Sequence, residues 1–317
     1  MQRLAVLSNG ASRGNHRGRW ARWRTVGPSV AHVVTSDVGD LAGGLATLLR
    51  AKPAALAIDG GDGTLQTFLS FCLQHDLLEQ LPPLAVLPGG TTNMSAGDVS
   101  RSTRFGQALR AFLRLRTLPM GHWPLATRPV VAIGAADGSQ HAGLFFGLGH
   151  LVTGVVSWQA SLRQAALAGS LGVAVAVART AHGIARRRPP FDAVSEVRFS
   201  LDGSRERPVA TTALMVTALD RLVLRMRPHW GPGAGPLACT WLEASAPNLL
   251  RTLPIALWGG GERLGSAAGY GSCRGNAVDL SFAGPWLLDG EVVHAPAPLT
   301  LSATPKLRFV VLGAVPT

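Results

Sequence analysis

An α/β domain built on a parallel, Rossmann-like sheet, followed by a β-rich, sandwich-like domain with a helical insert, is the architecture predicted for this chain. Three observations predict it. Short apolar runs at residues 3–7, 30–34, 54–58 and 84–87 alternate with stretches of helical spacing. Two of those runs lead into glycine-rich loops, Gly60-Gly61-Asp62-Gly63-Thr64 and Pro88-Gly89-Gly90-Thr91-Thr92-Asn93. Loops of this kind after buried strands suit a βαβ unit that contacts a ligand at the carboxyl ends of its strands. Near Leu118-Pro119 the pattern changes to strands separated by Asp-Gly turns. A chain of 317 residues favours two cores over one. The expected domains are 1–118 and 119–317.

Each element follows from its residues. Arg3 to Leu7 reads as a strand, followed by the polar loop Ser8-Asn9-Gly10-Ala11-Ser12-Arg13-Gly14. Arg13, Arg17, Arg19, Arg22 and Arg24 read mostly as a solvated face, with a phosphate contact by one of them as the alternative. Val30 to Val34 is a second strand, and Thr35-Ser36-Asp37 caps a helix running from Val38 to about Arg50. Ala54 to Ile58 is a buried strand, and Leu65, Phe68, Leu69, Cys72 and Leu73 fall on one helical face. Between them, three glycines in Gly60–Gly63 let backbone amides approach a ligand, and the helix behind presents its positive end. That arrangement suits phosphate. Asp62 is out of place in an anion cradle unless it binds a metal, takes part in proton transfer or caps a helix.

The paired loops resemble those of the diacylglycerol kinase, sphingosine kinase and NAD kinase superfamily, whose first loop reads GGDGT and whose second reads Pro-x-Gly-Thr-x-Asn. The family's Asn-Pro-x-Ser-Gly loop after the first strand is matched in part, by Asn9 and Ser12, with Gly10 in place of proline and Arg13 in place of glycine. The resemblance, strongest to the diacylglycerol kinase catalytic domain, implies that Asn9, Ser12, Thr35, Gly60, Gly61, Asp62, Gly63, Thr64, Gly90, Thr91 and Asn93 contact ATP. Near the end of the chain, Leu288-Asp289-Gly290-Glu291 resembles the family's Leu-Asp-Gly-Glu motif. It implies Glu291 as general base, assisted by Asp289 and Asp62, which are also the expected ligands of a catalytic Mg²⁺. A plain hairpin turn at Asp289-Gly290 stands beside that reading.

In the second half, the segments 130–135 and 141–148 flank Asp137-Gly138, and 194–201 and 209–219 flank Asp202-Gly203, both hairpin signals. Ala160 to Arg187 reads as one or two helices. Ala142 to Leu162 is uncharged and reads as core strand and loop, not a membrane span. Ser102 to Arg116 forms an amphipathic helix with Phe105, Ala108, Leu109, Phe112 and Leu113 on one stripe and arginines on the other. Its apolar stripe is expected in the core, with a membrane-surface role as the lesser reading.

With 30 lysines and arginines against 18 acids, the net charge of +12 favours anionic partners. Three widely spaced cysteines give no disulfide framework or zinc pattern, and the N-terminus shows no secretory leader, which points to the cytoplasm. The function expected is an ATP- and Mg²⁺-dependent kinase acting on the hydroxyl of a diacylglycerol-like lipid, peripheral at the inner face of an anionic membrane. A homodimer is compatible with the sequence. Nucleic-acid binding is disfavoured because no aromatic-basic motif accompanies the charge. Two other classes stand beside this one. NAD kinase shares the first loop but carries an Asn-Glu pair not found here. A non-catalytic nucleotide- or lipid-binding module fits the departures at Gly10 and Arg13. It also fits the absence of any acid in Arg227 to Leu237, where bacterial members carry a structural magnesium loop. No aspartate in Gly149 to Trp158 matches the one found in sphingoid-specific members.

Overall fold

The computed structural model describes residues 2–12, 15, 23, 26, 30–162, 170–264 and 268–313. The loop residue Arg13 and the arginines at 17, 19, 22 and 24 lie outside the described residues, as does the middle of the helical stretch expected at 160–187. The chain forms two compact units, residues 1–128 with 305–317, and residues 129–304.

The first unit begins with β1 (Leu4–Asn9), β2 (Val30–Thr35), α1 (Gly39–Arg50), β3 (Ala55–Gly60), α2 (Asp62–Gln74) and β4 (Leu84–Pro88). It continues with α3 (Met94–Val99), α4 (Phe105–Arg114) and β5 (Leu125–Arg128), and a late strand, β17 (Leu307–Val310), completes it. The sheet order is β2-β1-β3-β4-β17-β5, parallel as far as β17, with β5 antiparallel at the edge. β1, β3 and β4 are buried almost throughout, as both-face coverage by helices requires. Leu65, Phe68, Leu69 and Cys72 of α2 are fully buried. Each large apolar side chain so placed contributes about 1.5–3 kcal/mol. Burial pushes the Cys72 thiol up to about 12, so it behaves as a core residue and not a nucleophile. At the start of α1, Asp37 Oδ1 accepts the Asp40 amide at 3.0 Å and Asp40 Oδ2 accepts the Ser36 amide at 3.1 Å. Those two bonds hold the turn that leads into the helix at Gly39, whose N-cap residue, Val38, makes no side-chain cap bond. Ala108 and Phe112 of α4 are buried in the core of this unit, with Phe105, Leu109 and Leu113 packed against it, so the apolar stripe is consumed internally.

The second unit holds β6 (Val131–Ala135), β7 (Gln140–Gly143), β8 (Phe145–Gly149), α5 (His150–Leu162), α6 (Ser170–Arg186), β9 (Ser195–Leu201), β10 (Arg207–Thr217) and β11 (Leu237–Glu243). After these come α7 (Leu249–Leu257), β12 (Tyr270–Gly275), β13 (Ala277–Ser281), β14 (Trp286–Leu288), β15 (Glu291–Val293) and β16 (Leu299–Ala303). They form one sheet of 11 strands in the order β15-β14-β8-β10-β9-β13-β16-β6-β7, with β11 and β12 branching from β10. Both predicted hairpins are present, as β6–β7 and β9–β10. The predicted strand 141–148 is two strands broken at Leu144, because the amides of Leu144 and Phe145 both turn to the Asp289 carboxylate. The uncharged run after it is not a loop. Gly149, at φ +70°, turns the chain out of β8 and directly into α5. All three cysteines are free, and Cys239 and Cys273 stand directly opposite each other on β11 and β12.

Candidate nucleotide-binding site

In the first unit β1 pairs with β3 from Leu4–Ala55 to Ser8–Asp59, and β3 with β4 from Leu56–Leu84 to Gly60–Pro88. Three strands therefore end side by side, and the loops that leave them meet. Asn9 Nδ2 donates to Thr64 Oγ1 at 3.0 Å, while Asn9 Oδ1 accepts the Ala11 amide at 2.9 Å, so one side chain ties the first loop to the head of α2. A Cβ on Gly60 would run into the Thr64 side chain. A Cβ on Gly90 would sit 2.8 Å from Gly61 Cα, and one on Gly61 would sit 3.1 Å from Gly90 Cα. The two glycine loops are in backbone contact, and the Gly89 amide donates to Gly60 O at 2.7 Å. Close approach, not a left-handed φ, is what demands glycine here.

The remaining predicted nucleotide residues shape this cluster or line it. Gly63 lies in the first turn of α2, where its carbonyl accepts Thr67 Oγ1 at 2.9 Å. Thr91 is half-buried between Gly90 and Thr92. Asn93, left-handed at φ +48°, accepts the Gly90 amide at 2.8 Å and donates to Gly90 O at 3.1 Å, closing the second loop on itself. Thr35 ends β2 buried, and its carbonyl accepts the Gly10 amide at 2.9 Å. Its hydroxyl turns to Ser8 O at 3.5 Å. Ser12 Oγ is shielded from solvent and finds no hydrogen-bond partner among the described residues.

Asp62 does not cap α2, the helix of its own loop, which it begins. Its carboxylate instead caps α3: Oδ1 accepts the Ser95 amide at 2.9 Å, and Oδ2 accepts the Met94 amide at 3.1 Å and the Thr92 hydroxyl at 2.6 Å. The acid at the centre of GGDGT thus locks the second glycine loop onto the first.

Behind the loops lies a polar network that sequence reasoning missed. Asp59 is fully buried, and its Oδ2 accepts Ser8 Oγ at 3.1 Å and Trp23 Nε1 at 3.0 Å. His32 Nε2 meets Ser8 Oγ at 3.0 Å, and Asn15 Nδ2 donates to both Asn9 O and Asp59 O at 3.0 Å. A buried carboxylate must have such partners. The signal was an aspartate and a histidine inside apolar strands, ALAID and VAHVV.

In the second unit, Asp289-Gly290 forms the two-residue turn between β14 and β15, with φ of +48° and +95°. These are the angles of a type I′ hairpin. Asp289 is buried, and its two carboxylate oxygens accept the Leu144 and Phe145 amides at 2.9 Å each. Glu291 starts β15 exposed, with no hydrogen bond to its carboxylate among the described residues.

The loops of the first unit fit a nucleotide's phosphates. Ser12 Oγ is an unmatched polar atom at their edge among the described residues, and the glycines at 60, 61 and 90 let the loops pack closely with backbone in place of side chains. The acids proposed for Mg²⁺ do not fit a protein-built metal site. Asp62 and Asp289 both hold backbone amides, and no group of three or more His, Cys, Asp or Glu able to hold a metal occurs among the described residues.

The chain is similar to known proteins in part of its sequence and in its fold. Residues 4–122 match the model of the diacylglycerol kinase catalytic domain, a span that contains every loop described above in the first unit. Among solved structures, a provisionally assigned diacylglycerol kinase from Bacillus anthracis str. Sterne is similar at 14% identity and a TM-score of 0.66, covering 98% of this chain and 95% of that one. A second structure from that organism, of a diacylglycerol kinase, is 14% identical with a TM-score of 0.61, covering 98% of this chain and 97% of that one. At such identity these structures show a shared fold. No curated protein sequence matches the chain. Residues 4–122, with their two interlocked glycine loops, are thus the part of the chain that is similar in sequence to the diacylglycerol kinase catalytic domain.

Proposed function

We propose that the protein transfers the γ-phosphoryl group of ATP to the hydroxyl of a diacylglycerol-like membrane lipid. The observation that carries this reading is the contact of Gly61 with Gly90, which leaves two glycine loops with bare backbone at the ends of β3 and β4. Backbone amides without side chains over them are what phosphate oxygens need, and the amino end of α2 adds a favourable field. Ser12 Oγ supplies a further donor. Asn9, Asp62 and Asn93 hold the loops in shape, and Thr35 anchors the first loop through Gly10. The acceptor hydroxyl must lose its proton during transfer. Of the three acids in question, Glu291 alone has a carboxylate not spent on backbone amides, which supports Glu291 as the base. Asp289 positions it by fixing the turn one residue away.

No helix among the described residues is long and apolar enough to cross a membrane, and we place the protein at the cytoplasmic surface of one. The test is paired: ATP affinity by calorimetry, and transfer of labelled phosphate to diacylglycerol in mixed micelles, with NAD as a soluble control acceptor. The reading expects ATP binding and lipid phosphorylation. ATP binding without transfer to any acceptor favours a non-catalytic member, a reading supported by the hydrogen-bonded state of Asp62 and Asp289. Transfer to NAD alone overturns the lipid assignment.

A further inference from the structure

The arginine excess has a location that the catalytic reading does not use. α7 is apolar on two sides. Leu249, Leu253 and Ala256 face a core cluster, while Leu250, Ile255 and Trp258 are 55%, 41% and 53% exposed. At 100° per residue, positions 250, 251, 254, 255 and 258 form one continuous arc, and all five are exposed. That arc contains one cation, Arg251, and no acid. α6 packs against α7 and exposes Val175, Arg179 and Arg186 on a stripe of its own. No acid occurs in residues 138–191 or 244–261, the two stretches that supply the three α-helices described in this unit. The flanking acids are Asp137 and Asp192 for the first stretch and Glu243 and Glu262 for the second.

Exposed leucine, isoleucine and tryptophan in one arc are unfavourable in water and mark a surface that meets something apolar. Cations beside them, without any acid, restrict the partner to one that is also anionic. A bilayer bearing anionic headgroups meets both conditions, because an interfacial helix inserts its apolar residues at the acyl boundary, keeps tryptophan at headgroup level and pairs arginine with phosphate. We propose that the outer face of α7, extended by α6, docks the protein on an anionic bilayer. The alternative suggested by sequence, α4, is ruled out as an apolar docking face because its apolar stripe is already packed in the first unit. This inference rests on the lipid reading for its purpose, but its test needs no turnover.

The experiment is sedimentation of the full chain with vesicles of phosphatidylcholine alone or with phosphatidylglycerol, over a range of salt. Wild type should bind the anionic vesicles and release as salt rises. The double variant L250S/W258S should partition at least about tenfold more weakly, since two side chains lose their apolar contact. R251E/R186E should lose most of the salt-dependent binding. R104E/R110E on α4, with the same charge change, should retain more binding than R251E/R186E. Thermal melts of each variant show whether it is folded, and exposed substitutions of this kind change stability little. Undiminished binding by L250S/W258S overturns the proposal, as does equal binding to neutral and anionic vesicles at every salt. Dissociation of a dimer by L250S/W258S without any effect on vesicle binding overturns it too, assigning the face to a second copy of the chain. If vesicle binding behaves as expected and no lipid is phosphorylated, the docking face stands and the catalytic reading falls.

Discussion

The Asp62 carboxylate, at the start of α2, accepts the Ser95 amide of α3 at 2.9 Å and so joins two loops that are separate in sequence. Asp62→Asn keeps one acceptor but turns an NH₂ toward donors, the Met94 amide and the Thr92 hydroxyl. Losing charge-assisted bonds of this kind costs about 1–3 kcal/mol. The variant should melt several degrees lower and bind ATP more weakly in parallel. An unchanged melting temperature with turnover abolished would instead make Asp62 a purely chemical residue.

Stability should fall as pH drops below neutrality. Burial lowers the pKa of His141, His150 and His229, with Asp137 and Asp192 opposing it at the first two and Arg274 reinforcing it at His229. Each ring is held neutral in the folded chain and takes a proton more readily when unfolded. The unfolded state therefore binds more protons from about pH 6.5 downward, and stability present above that pH is lost as pH falls. Melts between pH 8 and 5 should show the decline. His150→Gln should flatten it, since His150 Nε2 is buried without a hydrogen-bond partner among the described residues and the ring packs edge-on to Phe191. A flat profile in wild type contradicts this.

The sheet of the first unit was legible because its strands are buried on both faces and therefore read as short apolar runs. The glycine loops were legible because close backbone approach leaves no other residue type available. What Asp62 does was not legible, since its partners lie 30 to 33 positions away and no spacing announces them. Asp59 was hidden for the same reason, its donors coming from Ser8 and Trp23. α5 was taken as strand and loop because its residues, HLVTGVVSWQASL, are uncharged and rich in valine, and only Gly149 marks the turn. α7 carries apolar residues on both sides, so no single stripe identifies it.

Glu291→Gln separates turn from base. The side chain is exposed at the start of β15, so the fold should be unaffected and the melting temperature should stay within about a degree or two. ATP affinity should survive, because the nucleotide loops are untouched. Lipid turnover should fall by about a hundredfold or more if the carboxylate takes the proton. Retained turnover would leave Asp289-Gly290 as a hairpin turn and remove Glu291 from the chemistry.

The contact of Gly61 with Gly90 tests the central claim most directly. A Cβ on Gly90 would lie 2.8 Å from Gly61 Cα and 3.6 Å from the Asp62 amide nitrogen, so Gly90→Ala must push the loops apart while removing no acidic or apolar core side chain. Calorimetric titration of ATP into wild type and Gly90→Ala is the measurement. The predicted result is binding by wild type and a loss of about tenfold or more in the variant, equal to roughly 1.4 kcal/mol. Equal affinity in the two proteins, or no ATP binding by wild type, would contradict the account.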